Sequence, residues 1–479
     1  MRRDGSSYRR ILWATSVVGG ATLGALLIGL VRNKAVALIG GPEAVGLFGL
    51  FTALVSMGAS ITTLGLDTSA VRQLSRATED QAEAGRVRWA IWTLAWPLAL
   101  IGAAAIWLFR SQLAEFAVGD RNYSDEIGWL AIAVAATVIS SSQLAILQAY
   151  SRIGDIARVR LYGSILATAV GVLAIYRFGI AGIVIAILAI PLANCLLAGW
   201  FGRQLPGFHW RKRADGGLIA YWKVLAAVGA VVMVTNTVGS LTQLAARSII
   251  TQRLGLDAAG LYHASYAIVA VNLSLVLNAM AADYYPRLSQ VSHDPASMSR
   301  VLNEQLHVAL VLAAPVLVIV SVAAPLVLQI LYSSAFSESD FLLRLLLAAG
   351  LLRLPIWGLG FVLLARGAGA SYLLGEVASA SMIPLILLLV TPLQLTGAGF
   401  AALLSAVIAF AVYQASAKRR HEVTINGDNM RLLIFLTLFL TGLAFLFWFN
   451  AMLSLIIGSV GAAALLWHSF STLRTALKR

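Results

Sequence analysis

Apolar residues in this chain fall into runs of about 20, separated by short stretches of charge, Gly or Pro, and a run of that length crosses a bilayer as one α-helix. The runs predict about fourteen helices, starting near residues 11, 44, 88, 127, 156, 179, 219, 258, 302, 340, 371, 395, 431 and 450. The expected class is an all-α polytopic membrane protein. An even number of crossings leaves both ends of the chain on the same side.

Composition supports that class and excludes others. Of the 479 residues, 59% are hydrophobic and 12% charged, and the mean hydropathy is +0.84, outside the range of soluble domains. Arg2, Arg3, Arg9 and Arg10 lead into an apolar stretch with no small-residue cleavage site, so no removable signal peptide is expected. Cys195 is the single cysteine, which excludes a disulfide framework or a cysteine metal site.

The net charge of +14 has an uneven distribution that fixes the expected orientation. With both ends in the cytoplasm, the inward segments carry 25 Lys and Arg, four of them (Arg72, Arg76, Arg86 and Arg88) in the loop over 72–88, and the outward loops only Arg110, Arg121, Arg177 and Arg253. This asymmetry follows the positive-inside rule and assigns the basic charge to anionic inner-leaflet lipid, not to nucleic acid.

The two halves of the chain repeat at an offset near 214 residues. Arg32-Asn33 falls on Arg247-Ser248, Glu43 to Phe48 falls on Asp257 to Tyr262, and Gln73-Leu74-Ser75 falls on Arg287-Leu288-Ser289, with a one-residue gap. Six predicted spans separate the copies, so they share one orientation and are related by a pseudo-twofold axis along the membrane normal. The expected organisation is a six-helix lobe over 1–205, a cytoplasmic linker over 206–216, a second six-helix lobe over 217–418, and two extra transmembrane helices with a cytoplasmic tail over 419–479. Glu43 and Asp257 begin the second helix of each lobe, where a carboxylate suits orphan amides.

Charges inside spans carry more information than charges in loops. A charge at mid-bilayer costs roughly 2.5 to 3.5 kcal/mol on insertion scales, so it faces protein or a water-filled cavity. Arg353 lies at the middle of the run from Phe341 to Ala365, about 18 Å from either end. It is expected to face an internal cavity, the alternative being a structural pair. Arg344 lies nine residues earlier, half a helical turn away, and four residues after Asp340, which suits an ordinary ion pair. Arg32 and Arg247 each follow about 20 apolar residues and fit either an outer-interface anchor or, from their matching places in the repeat, a shared central surface. Lys34 is about 200° around the helix from Arg32, so both face one cavity only if Gly19, Gly20, Gly24 or Gly29 permits a bend. Glu376 suits a pair with Arg366 or a coupling proton, and Asp67 and Asp283 are further candidates for coupling or gating near cytoplasmic ends.

Three motifs carry a family resemblance over about residues 10–418. They are Leu-Val-Arg-Asn-Lys-Ala-Val-Ala-Leu-Ile-Gly-Gly-Pro-Glu-Ala-Val-Gly-Leu-Phe from Leu30, Gly-Leu-Asp-Thr-Ser-Ala-Val-Arg-Gln from Gly65, and Leu-Pro-Ile-Trp-Gly-Leu-Gly-Phe from Leu354 followed by Leu-Leu-Ala-Arg-Gly from Leu363 and by Glu376. In these the chain resembles the polysaccharide-unit flippases of the multidrug, oligosaccharidyl-lipid and polysaccharide (MOP) exporter superfamily, especially those for O-antigen and enterobacterial common antigen.

The resemblance implies a non-enzymatic inner-membrane carrier that moves polyprenyl-pyrophosphate-linked oligosaccharide to the periplasmic leaflet by alternating access. It implies pyrophosphate contacts at Arg353, Arg32 and Arg247, with Lys34 in reserve, and a lipid tail held between helices. Expected partners are the lipid-linked glycan, membrane lipids, and a glycan polymerase with its chain-length machinery; no cofactor, metal or nucleic acid is expected. The two extra helices depart from twelve-helix members of the family and keep a lipid II flippase as an alternative. A multidrug or cation antiporter would want carboxylates where this chain has arginine. A polysaccharide polymerase or ligase would want catalytic groups on a large outer loop, and the longest such loop, about 110–126, offers none.

Overall fold

The computed structural model describes residues 5–78, 80–205 and 218–478. The expected linker at 206–216 lies outside the described residues. Among them there are sixteen α-helices and no strand: α1 Gly5–Thr62, α2 Leu66–Ala77, α3 Gln81–Leu108, α4 Arg110–Ala117, α5 Ser124–Ala149, α6 Ile153–Phe178, α7 Gly182–Arg203, α8 Leu218–Leu254, α9 Leu256–Gln290, α10 Pro295–Val322, α11 Ala324–Leu331, α12 Asp340–Ala365, α13 Gly369–Ser379, α14 Met382–His421, α15 Gly427–Phe449 and α16 Ala451–Lys478.

Ten stretches are long and apolar enough to cross a membrane, eleven with the bent α8. Three of them, Leu23–Thr62, Ile153–Arg203 and Gly369–His421, are double, being interrupted at Gly41, at the Gly179–Ala181 turn and at Gln394. Eleven stretches, three of them double, give fourteen segments. The chain is a multi-pass membrane protein.

The breaks have local causes. Gly41 has φ 66° and ψ −164°, a conformation open to glycine, and Pro42 then starts the second arm of α1, where its missing N–H costs nothing. Gly255, at φ 90°, separates α8 from α9 in the same way. Glu43 and Asp257 each follow two residues later, in the first turn of the new helix. No break occurs at Gly20, Gly24 or Gly29, so the bend that would bring Lys34 onto the face of Arg32 is not made.

Two stretches counted as loop charge are ordered differently. Leu66–Ala77 is a separate amphipathic helix, α2, with Leu66, Ala70, Leu74 and Ala77 buried and Arg72 and Arg76 exposed. Arg88 is not a loop residue. It is 3% exposed, and its Nη2 donates to the Gly202 carbonyl in the last turn of α7, where a cation complements the helix end.

By packing, the chain divides into two units, Met1–Gln252 and Arg253–Arg479. In the first, small residues bring helices close, as membrane helices require without a hydrophobic drive between them. Gly102 lies against the Thr62 side chain, and Gly171 lies against Ala186. The repeat assigns α8 to the second lobe, while its contacts within the first unit go to α1, α3 and α4. Tyr221 donates to Glu83 at 2.8 Å, Trp222 donates to the Ala90 carbonyl, and Ser240 meets Ser60 at 2.9 Å. Gly229 meets Leu64 and Gly65 backbone to backbone, so closely that a Cβ on Gly229 would overlap the Leu64 carbonyl oxygen. Backbone cannot retreat as a side chain can, so Gly229→Val is expected to lower stability by about 2 kcal/mol, in the range of overpacking. The check is thermal unfolding in detergent, with Gly239→Val, where a Cβ meets nothing within 4 Å, as the unaffected control.

In the second unit α12 is the central helix, packed by α9, α10, α14 and α15. The last two helices are firmly attached. Asn303 donates to the Ser299 and Thr424 carbonyls, Asn429 donates to Asn303, His307 meets Asn429 at 3.1 Å, and Ser469 donates to the Val311 carbonyl. Their other faces are apolar and exposed, with Phe449, Met452 and Trp467 each more than 70% accessible, as suits a lipid-facing surface.

Candidate functional site

Between Phe341 and Leu363 of α12, Arg353 is the one exposed residue. From Phe341 to Leu363 the other residues are buried apart from Ile356, Trp357 and Phe361, which are half-buried. An exposed cation in mid-helix, where a charge is costly against lipid, is the candidate binding group of this unit.

The groups around Arg353 are aromatic and acidic. Its guanidinium carbon lies 5.9 Å from the ring centroid of Tyr266 on α9. Glu376 on α13 is within electrostatic range of it, and Tyr262 on α9 is a near neighbour. Glu376 Oε1 in turn accepts a 2.8 Å hydrogen bond from the Tyr413 hydroxyl on α14. That ring packs onto Gly375, where any side chain would collide with it, so Gly375 sets the distance between α13 and α14 at the carboxylate. Among the described residues, the cluster around Arg353 thus brings one guanidinium, one carboxylate and several phenols together from four helices. A fixed, accessible guanidinium binds phosphate oxygens through charge-assisted bonds, while a single carboxylate nearby offsets its charge before an anion arrives.

Glu376 does not pair with Arg366. Arg366 instead reaches the His421 carbonyl at 3.4 Å, and the carboxylate partner is Tyr413, 37 residues along the chain.

Arg344 makes the pair expected of it. Its Nη1 donates to the Asp340 carboxylate, its Nε donates to the Ser321 carbonyl at 3.0 Å, and its guanidinium lies 3.6 Å from the Phe447 ring centroid. These partners belong to α12, α10 and α15, and those of Arg353 to α9 and α13. The two arginines serve different faces of one helix.

In the first unit the candidates have other surroundings. Arg247 is 7% exposed, and its Nη1 donates to the Gly49 carbonyl at 3.1 Å. Arg32 is half-buried with its guanidinium 5.1 Å from the Phe48 ring centroid, and Lys34 is half-buried on the same arm. The two repeat-related arginines therefore both meet residues 48–49. Asp67 stands in the first turn of α2, where its carboxylate accepts from the Thr68 amide. The side chain of Asp283 lies outside the described residues.

Residues 36–340 match the family described as Polysaccharide biosynthesis protein. Among curated protein sequences none matches the chain. The fold is similar to that of the lipid II flippase MurJ in an inward closed conformation, with 13% identity, a TM-score of 0.70, and coverage of 96% of this chain and 99% of that one. It is also similar to an inward-facing multidrug resistance MATE family transporter of the MOP superfamily, with 16% identity, a TM-score of 0.65, and coverage of 83% of this chain and 96% of that one. The MATE multidrug transporter DinF-BH aligns with 17% identity and a TM-score of 0.59, over 85% of this chain and 94% of that one.

Proposed function

Because the chain belongs to the polysaccharide biosynthesis protein family and has the all-α fold of MOP-superfamily transporters, we propose that it is a flippase for polyprenyl-pyrophosphate-linked oligosaccharide. It carries the glycan from the cytoplasmic to the periplasmic leaflet of the bacterial inner membrane by alternating access, for assembly of a surface polysaccharide such as O-antigen or enterobacterial common antigen. Both termini face the cytoplasm in this reading, which the 25-to-4 distribution of basic residues supports.

The observation that carries the proposal is Arg353, an accessible guanidinium at the middle of a largely buried membrane helix. A pyrophosphate is the part of the substrate that such a group would recognise, since arginine offers several donors in one plane. Arg32, with Lys34 in reserve, is the secondary contact. Arg247, tied to the Gly49 carbonyl, reaches substrate only if that bond opens during the cycle. Glu376, facing Arg353, is the group whose protonation couples to substrate binding, ahead of Asp67 and Asp283. The released glycan passes to a polymerase with its chain-length machinery.

A second reading, lipid II as cargo, is favoured by the similarity to MurJ along 96% of this chain. Both cargoes present a lipid pyrophosphate, so the test must vary the glycan. Proteoliposomes holding the purified chain are given fluorescent polyprenyl-pyrophosphate oligosaccharide, lipid II, or a cationic dye. The proposal expects translocation of the first and little of the others. Preference for lipid II would transfer the function to the second reading, and dye transport alone would remove both. Under an imposed pH gradient the unaltered chain is expected to respond and Glu376→Gln to lose that response; a variant as responsive as the parent would remove Glu376 from the coupling.

A further inference from the structure

One turn beyond Arg353 along α12 the same stripe becomes aromatic. Trp357 and Phe361 follow at intervals of four residues, so Arg353, Trp357 and Phe361 lie along one face, spaced by about 6 Å of helix per step. The rings form a continuous cluster with α9. Trp357 and Phe361 have centroids 4.7 Å apart at an interplanar angle of 70°, and Tyr285 lies 5.3 Å from Phe361.

Tyr284 supports this cluster from behind. It is fully buried, its hydroxyl donates to the Gly358 carbonyl at 2.9 Å, and its ring stacks on Trp357 at 5.6 Å. A ring anchored in this way holds Trp357 in one orientation. The outer members are not sealed: Tyr285 is 41% exposed, and Trp357 and Phe361 are partly accessible. Simple core packing would bury all four, as it buries Tyr284.

We infer that Trp357, Phe361 and Tyr285 form a saccharide shelf that takes the sugar bonded directly to the pyrophosphate held at Arg353. The inference rests on the flippase reading above. A pyranose ring has an apolar C–H face, and the negative face of an aromatic ring attracts it while the sugar hydroxyls remain directed to water. The order along the helix, cation first and rings next, follows the order of groups in the substrate, phosphate first and sugar next. Stacking tolerates changes in sugar identity, so the shelf would select for the presence of a glycan and not for one epimer. A polyprenyl tail is the competing occupant, and the test separates the two.

The test compares binding of two probes by the purified full-length chain: polyprenyl pyrophosphate bare, and the same lipid carrying a disaccharide. Trp357→Leu is expected to weaken the glycosylated probe about tenfold, equal to about 1.4 kcal/mol, and to leave the bare probe within twofold. Trp357→Phe, which keeps a ring, restores most of the loss. Arg353→Gln weakens both probes together. Equal loss of both probes in Trp357→Leu would mean a packing or tail-binding role, and loss of neither would mean no contact; each overturns the shelf and leaves the flippase reading in place. If neither probe binds the unaltered chain, the flippase reading and the shelf fall together. If Trp357→Leu does not fold, the partly exposed Tyr285 replaces it: Tyr285→Leu is expected to cost the glycosylated probe about threefold and the bare probe nothing, and unchanged binding of both overturns the shelf.

Discussion

Cells that depend on this chain for a surface glycan are expected to lose that glycan on Arg353→Glu, with translocation falling at least about 100-fold while the protein stays in the membrane at its normal level. A charge-assisted hydrogen bond to a desolvated anion contributes roughly 3 kcal/mol, and each 1.4 kcal/mol is a factor of ten. Reversal also adds repulsion between the new carboxylate and the pyrophosphate of the proposed cargo, and it sets two carboxylates, the new one and Glu376, against each other. Arg353→Lys is expected to retain part of the activity, because it preserves the charge and loses the planar donor array. The checks are export measured in cells and the amount of protein in isolated membranes. Normal export by Arg353→Glu would remove the basis of the site.

The opposite pattern is expected nine residues earlier. Arg344→Leu should lower the folding stability by roughly 3 kcal/mol, because breaking a buried pair leaves its partner without compensation. The Arg344 side chain is 1% exposed, and it serves Asp340, the Ser321 carbonyl and the Phe447 ring at once. Asp340 keeps 29% of its side-chain surface, so water softens the loss and the lower end of the usual range applies. Thermal unfolding in detergent reads the effect directly. Membrane levels should fall with it, and whatever protein remains should translocate at a normal rate per molecule. A stable but inactive Arg344→Leu would contradict the division of labour between the two arginines.

That the two arginines meet different helices was legible in the sequence, because a nine-residue interval on a helix fixes relative direction and an i, i+4 pair identifies a partner. The span positions were legible for a similar reason: Gly41-Pro42 and the stretch around Gln394 interrupt runs too long for one crossing. Local pattern was less informative about long-range partners. Nothing in the sequence linked Glu376 to Tyr413 or Arg247 to the Gly49 carbonyl, since both contacts arise from the packing of distant helices. The repeat identified matching segments, yet it gave no view of which neighbours α8 would take. Those were decided by Gly229, Ser240 and the aromatic pair Tyr221 and Trp222. Arg88 was misread because charge near a span end suggests a loop, whereas burial depends on the carbonyl of Gly202 waiting there.

The central claim is that a positive charge at position 353, reachable from water, is what the cargo binds. Chemical replacement of that charge tests it. In a chain where Cys195→Ser has removed the native thiol, Arg353→Cys is expected to be inactive in proteoliposomes and to react with small thiosulfonate reagents. Modification with a cationic aminoethyl reagent should then restore a substantial part of lipid-linked glycan translocation, and an anionic sulfonate reagent of similar size should react without restoring it. A thiol that neither reagent reaches, or equal recovery with both, would contradict the account.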